Sequence, residues 1–382
     1  MANSRNDAVD TLTAHSTRHL IALNPRNFTS LKRTPWAGTA LAAGIKRAFA
    51  DSPSQRIGES WEISCDPDAL SSVENFPAVT LSDIIHQYPE ECLSGDLIAA
   101  GRTHCDILIK LLNADSPLSL QIHPSDSHPG LRANECGKPE SWLVLAAAPG
   151  SGLYLGFDRA MTLESVRKNL EENTFSADML RFVPVGPGDF FEIDPHVPHA
   201  IGPGVVLLEP QRIIAGKSGK TWRMWDWNKK YNAQGEVDEQ SGKPRELHVN
   251  ESLSILDPET QCGPEYVESL RRAPEETTIL PGVTVSVFPA NQWYQVITVN
   301  LEPWTRVRLR SRCAFACVTV VEGSGISRHP DGSSVNLVKG QSYFAPSASL
   351  PLDLVTRNQS LQACFVIPAG QGVITHEGLV FE

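Results

Sequence analysis

The chain has 382 residues, a length that favours two domains over a single core. Its composition, 41% hydrophobic and 20% charged residues, is that of a globular protein and excludes wholesale disorder. A net charge of −11 without a long basic run argues against a nucleic-acid partner, although a few well-placed cations suffice to bind one small phosphate.

The start of the chain is polar, and we predict that residues 1–20 form a tail. No apolar stretch there has the length of a signal peptide, and no segment has the length of a membrane span. Eight scattered cysteines without a CxxC pair are typical of reduced thiols, although Cys313 and Cys317 could face each other in space. These features predict a cytoplasmic protein with no membrane partner, and they leave its oligomeric state open.

Three short segments have a helical pattern. Residues 81–88 place apolar side chains at helical spacing, with Ser82 near the start, and the pattern stops at Pro89. Thr162 can cap a second helix, in which Leu163 begins an apolar face. A third segment spans residues 251–256.

Most of the chain reads as short β-rich runs separated by proline and glycine. These runs are residues 107–112, 118–123, 142–147, 205–208, 283–288, 295–301 and 317–321. Short strands between turn residues favour antiparallel sandwiches or jelly-roll-like barrels over a parallel α/β fold. The sequence therefore predicts a mostly β protein.

A short internal repeat supports two barrels. Residues 185–195 resemble residues 338–346, because each copy has a turn glycine, an aromatic strand and then a proline. The first copy continues into His196 and His199, whereas the second continues into serine and alanine. We predict a catalytic domain over residues 21–275 and a C-terminal domain over residues 276–382 that lacks metal ligands.

Side chains suited to metal binding occur in two strand-like segments and beside a third. Gln121 and His123 are two residues apart, so that on a strand they share one face. Glu140 precedes an apolar run, and His199 closes another segment. Two imidazoles, a carboxylate and an amide oxygen suit Zn²⁺ with an open position. Each residue alone could equally be a hydrogen-bonded or solvated side chain, and the combination is what favours a metal.

The sequence of residues 216–221 resembles a phosphate-binding P-loop. The motif requires a glycine at position 214, which is isoleucine, and a helix afterwards. The residues that follow are aromatic and strand-like, so we predict no nucleotide site there.

Several segments together resemble the type I mannose-6-phosphate isomerases (phosphomannose isomerases). In family order they are residues 35–41, 57–64, 109–113, 118–124, 137–140, 195–200, 208–211, 221–227 and 245–248. The resemblance extends from about residue 22 to residue 256, and its QxHP, KPE and HA segments are specific.

The resemblance implies a double cupin, with two jelly-roll-like β-barrels and an added small helical region. It implies Zn²⁺ bound by Gln121, His123, Glu140 and His199; His196 stays outside this set. It also implies an enzyme of carbohydrate metabolism that interconverts mannose 6-phosphate and fructose 6-phosphate through a cis-enediol. The expected partner is a small phosphosugar.

The remaining candidate residues follow from this chemistry. Aldose–ketose isomerisation needs a positioned base, and Glu209 is the candidate because it lies in an apolar strand. Its alternative is an edge carboxylate paired with Arg212. Arg223 is the candidate for stabilising an enediolate, since its planar fork can bridge two oxygens. Its alternative is a cross-strand salt bridge with Asp226 or a neighbouring acid.

Two further side chains are candidates for substrate binding. Lys138, two residues before Glu140, can contact or polarise a sugar oxygen, and it is assigned to both catalysis and binding. Ser119, on the ligand face of its strand, can donate to the substrate phosphate. A lone lysine could instead be solvated, and the serine could simply fill space.

The chain departs from the family pattern in two places. In the family an aspartate is common four residues before the arginine that corresponds to Arg223, and this chain has Gly219 there. The usual WGG motif is here Trp36, Ala37 and Gly38. The first departure leaves the acid–base assignment open. One alternative function is therefore a non-catalytic, metal-containing cupin that binds sugar phosphates. A second alternative is another cupin metalloenzyme, such as an Fe²⁺ oxygenase.

Overall fold

A computed structural model of the chain describes residues 16–311, 315–369 and 379–381. Strands hold 40% and helices 14% of the residues, so the mostly β prediction is confirmed. Before residue 230 the strands are β1 (Ile21–Ala22), β2 (Glu59–Ile63), β3 (Ser72–Val73), β4 (Phe76–Thr80), β5 (Ile107–Asn113), β6 (Leu120–Ile122), β7 (Glu135–Cys136), β8 (Glu140–Ala147), β9 (Gly152–Phe157), β10 (Leu180–Pro184), β11 (Phe190–Ile193), β12 (His199–Ile201), β13 (Val205–Arg212), β14 (Ser218–Gly219) and β15 (Trp222–Trp225).

The described helices are short and lie in the N-terminal part of the chain. They are α1 (Ala40–Ala43), α2 (Leu81–Gln87), α3 (Pro89–Cys92), α4 (Gly95–Ala99), α5 (Leu163–Glu171), α6 (Val249–Leu253) and α7 (Gly263–Leu270). None of them has the length and apolar character needed to span a membrane.

The three helical segments predicted from the sequence are helices. Helix α2 begins after Thr80, whose hydroxyl accepts a hydrogen bond from the Asp83 amide in a capping box. Thr162 caps α5 as predicted, by accepting from the Ser165 amide. Of the third segment, predicted at 251–256, only residues 251–253 are helical: α6 begins two residues earlier than predicted, at Val249, and ends three residues earlier, at Leu253.

Two antiparallel five-stranded sheets face each other in the N-terminal part. Their strand orders are β10-β9-β12-β6-β15 and β11-β8-β13-β5-β2. Buried side chains from both sheets meet between them, including Trp142 of β8 and Leu155 of β9. This packing of two inner faces makes a jelly-roll-like barrel.

The C-terminal strands form a second β structure. They are β16 (Glu275–Leu280), β17 (Val283–Val287), β18 (Tyr294–Leu301), β19 (Arg306–Ser311), β20 (Phe315–Arg328), β21 (Ser334–Val338), β22 (Ser342–Pro346), β23 (Leu352–Val355), β24 (Leu361–Pro368) and β25 (Leu379–Phe381). Their sheet runs β16-β17-β18-β24-β20-β23-β19-β25, with β21 and β22 on β20 and with β1 on β22. The two barrels give the double-cupin fold.

The two barrels share a continuous apolar core. Ile109 of β5 and Leu208 of β13 point away from the first barrel and pack with helices α2 to α4 and with strands of the C-terminal sheet. Strand β5 is therefore buried on both faces, which explains why residues 107–112 are apolar except for Lys110. The domain boundary at residues 275/276 stays a prediction; β16, in the C-terminal sheet, begins at Glu275.

The predicted tail divides between undescribed and structured residues. Residues 1–15 lie outside the described part of the chain. Within residues 16–20, Ser16–Arg18 forms a 3-10 turn and Leu20 is buried in the C-terminal core. Of the two cysteines that could face each other, Cys313 lies outside the described residues, and the sulfur of Cys317 lies 4.0 Å from that of Cys105.

Candidate metal centre and active site

The predicted metal ligands come from both sheets of the first barrel. Gln121 lies in β6, and His123 follows the end of that strand. His199 begins β12 and is the cross-strand neighbour of Gln121. Glu140 begins β8 in the opposite sheet. The sandwich thus brings together residues that are as much as 78 positions apart in sequence.

Three of these residues form a compact group of buried ligand atoms. His123 Nε2 is 3.3 Å and His199 Nε2 is 3.4 Å from different oxygens of Glu140. One nitrogen of each histidine and one oxygen of the glutamate all lie within 4.8 Å of one another, and the described residues contain no second such group of His, Cys, Asp or Glu. That the C-terminal domain lacks metal ligands stays a prediction.

Hydrogen bonds orient both imidazoles towards the carboxylate. Nδ1 of His123 is 3.1 Å from the Lys220 carbonyl oxygen, and Nδ1 of His199 is 2.8 Å from that of Val197. A carbonyl requires a donor, so each Nδ1 carries the proton and each Nε2 keeps its lone pair. His123 Nε2 is buried without a hydrogen-bond partner. An orphaned lone pair beside a carboxylate fits a bound cation.

The protonation states also suit a cation. Burial lowers the pKa of His123 to about 3 and lowers that of His199 below its ordinary value, so both rings are neutral at pH 7. Burial alone would raise the pKa of Glu140, but the Lys138 ammonium together with His123 and His199 outweighs burial and holds that pKa well below the ordinary range. The group is two neutral imidazoles and one carboxylate, a mixed N/O set suited to Zn²⁺.

Gln121 and His196 lie beside this group. Gln121 Nε2 donates to the Ser119 hydroxyl at 3.2 Å, and its assignment as the fourth ligand stays a prediction. His196 has a left-handed backbone, with φ of 75°, and its amide donates to the His123 carbonyl. It does not belong to the ligand group.

Glu209 lies on β13, directly across from Lys110 of β5. Its side chain accepts hydrogen bonds from Trp142 Nε1 at 3.1 Å and Gln211 Nε2 at 2.7 Å, and Lys110 Nζ is 3.6 Å away. Burial and the nearby charge of Glu140 raise the pKa of Glu209 to about 8. The alternative of a pair with Arg212 is wrong.

Arg212 and Asp226 both have other partners. Arg212 pairs with Asp126 instead of Glu209. The proposed salt bridge between Arg223 and Asp226 is also wrong, because Arg245 holds both oxygens of Asp226, at 2.7 and 2.6 Å.

Arg223 lies on β15 with Gln121 as its cross-strand neighbour. Its Nη1 donates to the Glu246 carbonyl at 2.8 Å, and its buried Nε has no partner. This arginine therefore enters the site without a carboxylate of its own among the described residues.

Lys138 is buried, and its ammonium lies 3.3 Å from Glu140. Burial alone would lower its pKa, but the carboxylates of Glu140 and Glu209 outweigh that effect and raise the pKa. The lysine is therefore charged, and the alternative of a solvated lysine is wrong.

Gly219, where the family pattern has an aspartate, packs on Lys138. A Cβ at this position would lie only 2.9 Å from Cγ and 3.0 Å from Cδ of the lysine. The stem of Lys138 thus fills the space beside the glycine. Gly219 belongs to β14, which pairs with β7. The aromatic segment after it is strand β15, so the P-loop-like residues 216–221 precede a strand and not a helix.

The site residues line two adjoining cavities. The inner one, of about 30 Å³, includes Ser119, Glu140, His199 and Glu209 in its wall. The outer one, of about 170 Å³, is a cleft that includes Arg223. Gln121 and Lys138 line both, as do Lys110 and Glu59.

Sequence reasoning missed three of these side chains. Lys110, Trp61 and Glu59 line the cleft; Lys110 Nζ lies 4.2 Å from the centre of the Trp61 ring, and Trp61 Nε1 donates to Glu59. The signal in the sequence was Lys110, the single charged residue inside the apolar run of β5, because a buried charge requires a charged or polar partner.

Known proteins resemble this chain in sequence and in fold. The family model for the phosphomannose isomerase type I catalytic domain matches residues 28–140. The mannose-6-phosphate isomerase ManA of Bacillus subtilis is 30% identical over 300 residues, which cover 77% of this chain and 84% of that one.

Solved structures share the fold. That of a mannose 6-phosphate isomerase from Bacillus subtilis matches with a TM-score of 0.73 at 21% identity, over 91% of this chain and 99% of that one. A mannose 6-phosphate isomerase bound with zinc and yttrium matches with a TM-score of 0.63 at 16% identity, over 92% of this chain and 99% of that one. The sequence relationship shows that the chain belongs to the type I phosphomannose isomerase family.

Proposed function

We propose that this protein interconverts mannose 6-phosphate and fructose 6-phosphate, with Zn²⁺ bound by Gln121, His123, Glu140 and His199. One observation carries the proposal: Glu140 and His199 of the buried group of two imidazoles and a carboxylate line the inner cavity, whose wall also holds Glu209 and Lys138. A phosphosugar is charged and crosses a bilayer poorly. A cytoplasmic location and a role in carbohydrate metabolism therefore belong to the same proposal.

The choice of zinc rests on the donor set. The neutral Nε2 atoms of His123 and His199 and the carboxylate of Glu140 are ligands that Zn²⁺ accepts, and a related fold has been solved with zinc. A bound divalent cation would polarise the sugar carbonyl and offset the negative charge that develops on its oxygen. The cation would also give the buried lone pair of His123 Nε2 a partner.

Glu209 is proposed as the base that moves the proton. Isomerisation of mannose 6-phosphate removes a proton from C2, forms a cis-enediol and returns the proton to C1. A carbon acid is weak, and a carboxylate with its pKa raised towards neutrality is a stronger base than an ordinary glutamate. Burial supplies that property here. The hydrogen bonds from Trp142 and Gln211 fix the direction of the carboxylate.

Arg223, Lys138 and Ser119 are proposed to hold the substrate. The unpartnered Nε of Arg223 can donate to an enediolate oxygen, and its charge is permanent. Lys138 is charged and can donate to a sugar oxygen while remaining close to Glu140. Ser119 accepts from Gln121, which leaves its own proton free; because Ser119 lines the inner cavity with Glu140 and His199, we assign that proton to a sugar oxygen instead of the phosphate.

Turnover and metal content, measured on one sample, test the proposal. Purified protein should isomerise mannose 6-phosphate, lose this activity on treatment with a chelator and regain it with Zn²⁺. Reconstitution with Fe²⁺ under air is the control for oxygenase chemistry. Fully zinc-loaded protein that binds the phosphosugar without converting it would refute the isomerase assignment in favour of a binding protein.

A further inference from the structure

The outer cleft carries more cations than the proposed chemistry uses. Five basic side chains line the two cavities: Arg33, Lys110, Lys138, Arg223 and Arg245. Four of them are already held by an acceptor: Lys110 by Glu209, Lys138 by Glu140, Arg245 by Asp226 and Arg223 by the carbonyl of Glu246. These four side chains therefore already have partners within the site.

Arg33 differs from the other four. Its guanidinium carbon lies 5.0 Å from the centre of the Trp61 ring, and neither a carboxylate nor a carbonyl oxygen of the described residues pairs with the guanidinium group. The arginine is exposed, whereas Trp61 is buried at 3% exposure. A rigid aromatic ring supports the cation while its hydrogen-bond donors stay free.

Acidic groups at the same mouth do not pair with Arg33. Glu59 accepts from Trp61 Nε1 at 2.9 Å, and Asp66 accepts from the Ser218 hydroxyl and the Asp68 amide. Asp68 is exposed to solvent. In a chain of net charge −11, an arginine left unpaired at a cleft mouth is a ready site for an anion.

We propose that Arg33, supported by Trp61, binds the phosphate group of the substrate at the mouth of the cleft. The proposal rests on the function proposed above, because C1 and C2 of the sugar must lie at the metal end. The phosphate is attached to C6, at the other end of the molecule, and therefore extends towards the outer cleft. A planar guanidinium can donate two parallel hydrogen bonds to phosphate, which suits this position.

The test compares ligands that differ only in the phosphate. Glucitol 6-phosphate and glucitol mimic the open-chain sugar with and without that group, and inorganic phosphate represents the group alone. Arg33→Ala should raise KM for mannose 6-phosphate and the Ki of glucitol 6-phosphate by about 10- to 100-fold, since a charge-assisted hydrogen bond is lost. The Ki of glucitol should stay within about twofold, and Arg33→Lys should recover part of the loss.

A neighbouring lysine provides a matched control. Lys32→Ala removes the same charge one residue away, from an exposed side chain that does not line the cleft. This variant should keep the wild-type constants. An equal loss for glucitol and glucitol 6-phosphate in Arg33→Ala would overturn the proposal, because it would mean that the arginine only supports the wall of the cleft.

Direct titration separates this proposal from the isomerase assignment. If the wild type fails to convert mannose 6-phosphate, the assignment fails, but calorimetric titration with inorganic phosphate and glucitol 6-phosphate still applies. Binding that is weakened in Arg33→Ala and retained in Lys32→Ala supports the phosphate site. Equal binding by the wild type and Arg33→Ala overturns it.

Discussion

Replacing Glu209 with glutamine tests the proposed base and its environment together. The change keeps the size of the side chain but removes the charge that lies near Lys110 and between the donors Trp142 and Gln211. In zinc-loaded protein, loss of a general base should lower kcat by about 10²- to 10⁴-fold. The zinc content should stay close to that of the wild type, because Glu209 is not in the ligand group.

The same variant should change how stability depends on pH in metal-free protein. Burial raises the pKa of Glu209 from an ordinary value of 4.5 to about 8. A raised folded-state pKa contributes stability that is complete below the unfolded-state pKa and is lost as pH rises through the folded-state value. Each pH unit in that interval corresponds to ~1.4 kcal/mol. Between pH 5 and pH 8 the glutamine variant should therefore gain up to roughly 4 kcal/mol relative to the wild type.

Both effects can be measured with ordinary assays. Denaturant unfolding of chelated wild type and Glu209→Gln at pH 5, 6.5 and 8 gives the stability difference, and coupled assays of zinc-loaded protein give kcat. Glu192→Gln is the matched control for kcat, since Glu192 is also buried but forms an ion pair with Arg272 and lines neither cavity of the site. Near-normal kcat in Glu209→Gln would refute the base assignment. A stability difference independent of pH would refute the raised pKa.

Three further predictions follow from the site. His199→Ala should lose zinc and activity together, measured by metal analysis and turnover, and full zinc content would contradict its role as a ligand. Gly219→Ala should push Lys138 aside, because the new Cβ would lie 2.9 Å from its Cγ, and should lower kcat roughly tenfold or more; unchanged kinetics would show that the lysine position is not critical. Trp142→Phe removes a donor to Glu209, so the pKa of that carboxyl should rise and the pH–rate profile should move to higher pH; an unmoved profile would contradict the assignment.

Local patterns in the sequence predicted much of the fold. The run at residues 107–112 became β5, because a strand buried on both faces is apolar at successive positions, here with Lys110 as the one exception. Thr162 was identifiable as a cap because capping depends only on the next few residues. Alternation placed Gln121 and His123 on one face, and the structure brings His199 and Glu140 to that face.

Pairings between distant segments could not be read in this way. The alternatives considered for Glu209 and Arg223 paired them with Arg212 and Asp226, which are close to them in sequence. The structure pairs Arg212 with Asp126 and Asp226 with Arg245 instead. Such partners depend on where loops cross the end of a barrel, and no local periodicity records that geometry. For the same reason, the lysine within β5 was not identified as part of the cleft.

The contrast between two buried carboxylates supports the division of roles in the site. Gln211 Nε2 donates to both Glu140 and Glu209, at 2.7 Å each, so the two carboxylates share one amide. Lys138 lies beside Glu140 at 3.3 Å and holds its pKa low, whereas Lys110 approaches Glu209 only to 3.6 Å and does not prevent its pKa from rising.

Two nearby carboxyl groups with opposite pKa shifts are suited to different tasks. The group that stays ionised can hold a cation, and the group that titrates near neutrality can accept and return a proton. A cation bound to Glu140 would offset the charge that raises the pKa of Glu209. Zinc loading should therefore move the activity transition to lower pH than the stability transition of chelated protein, and coincident transitions would mean that the two carboxylates are not electrostatically coupled.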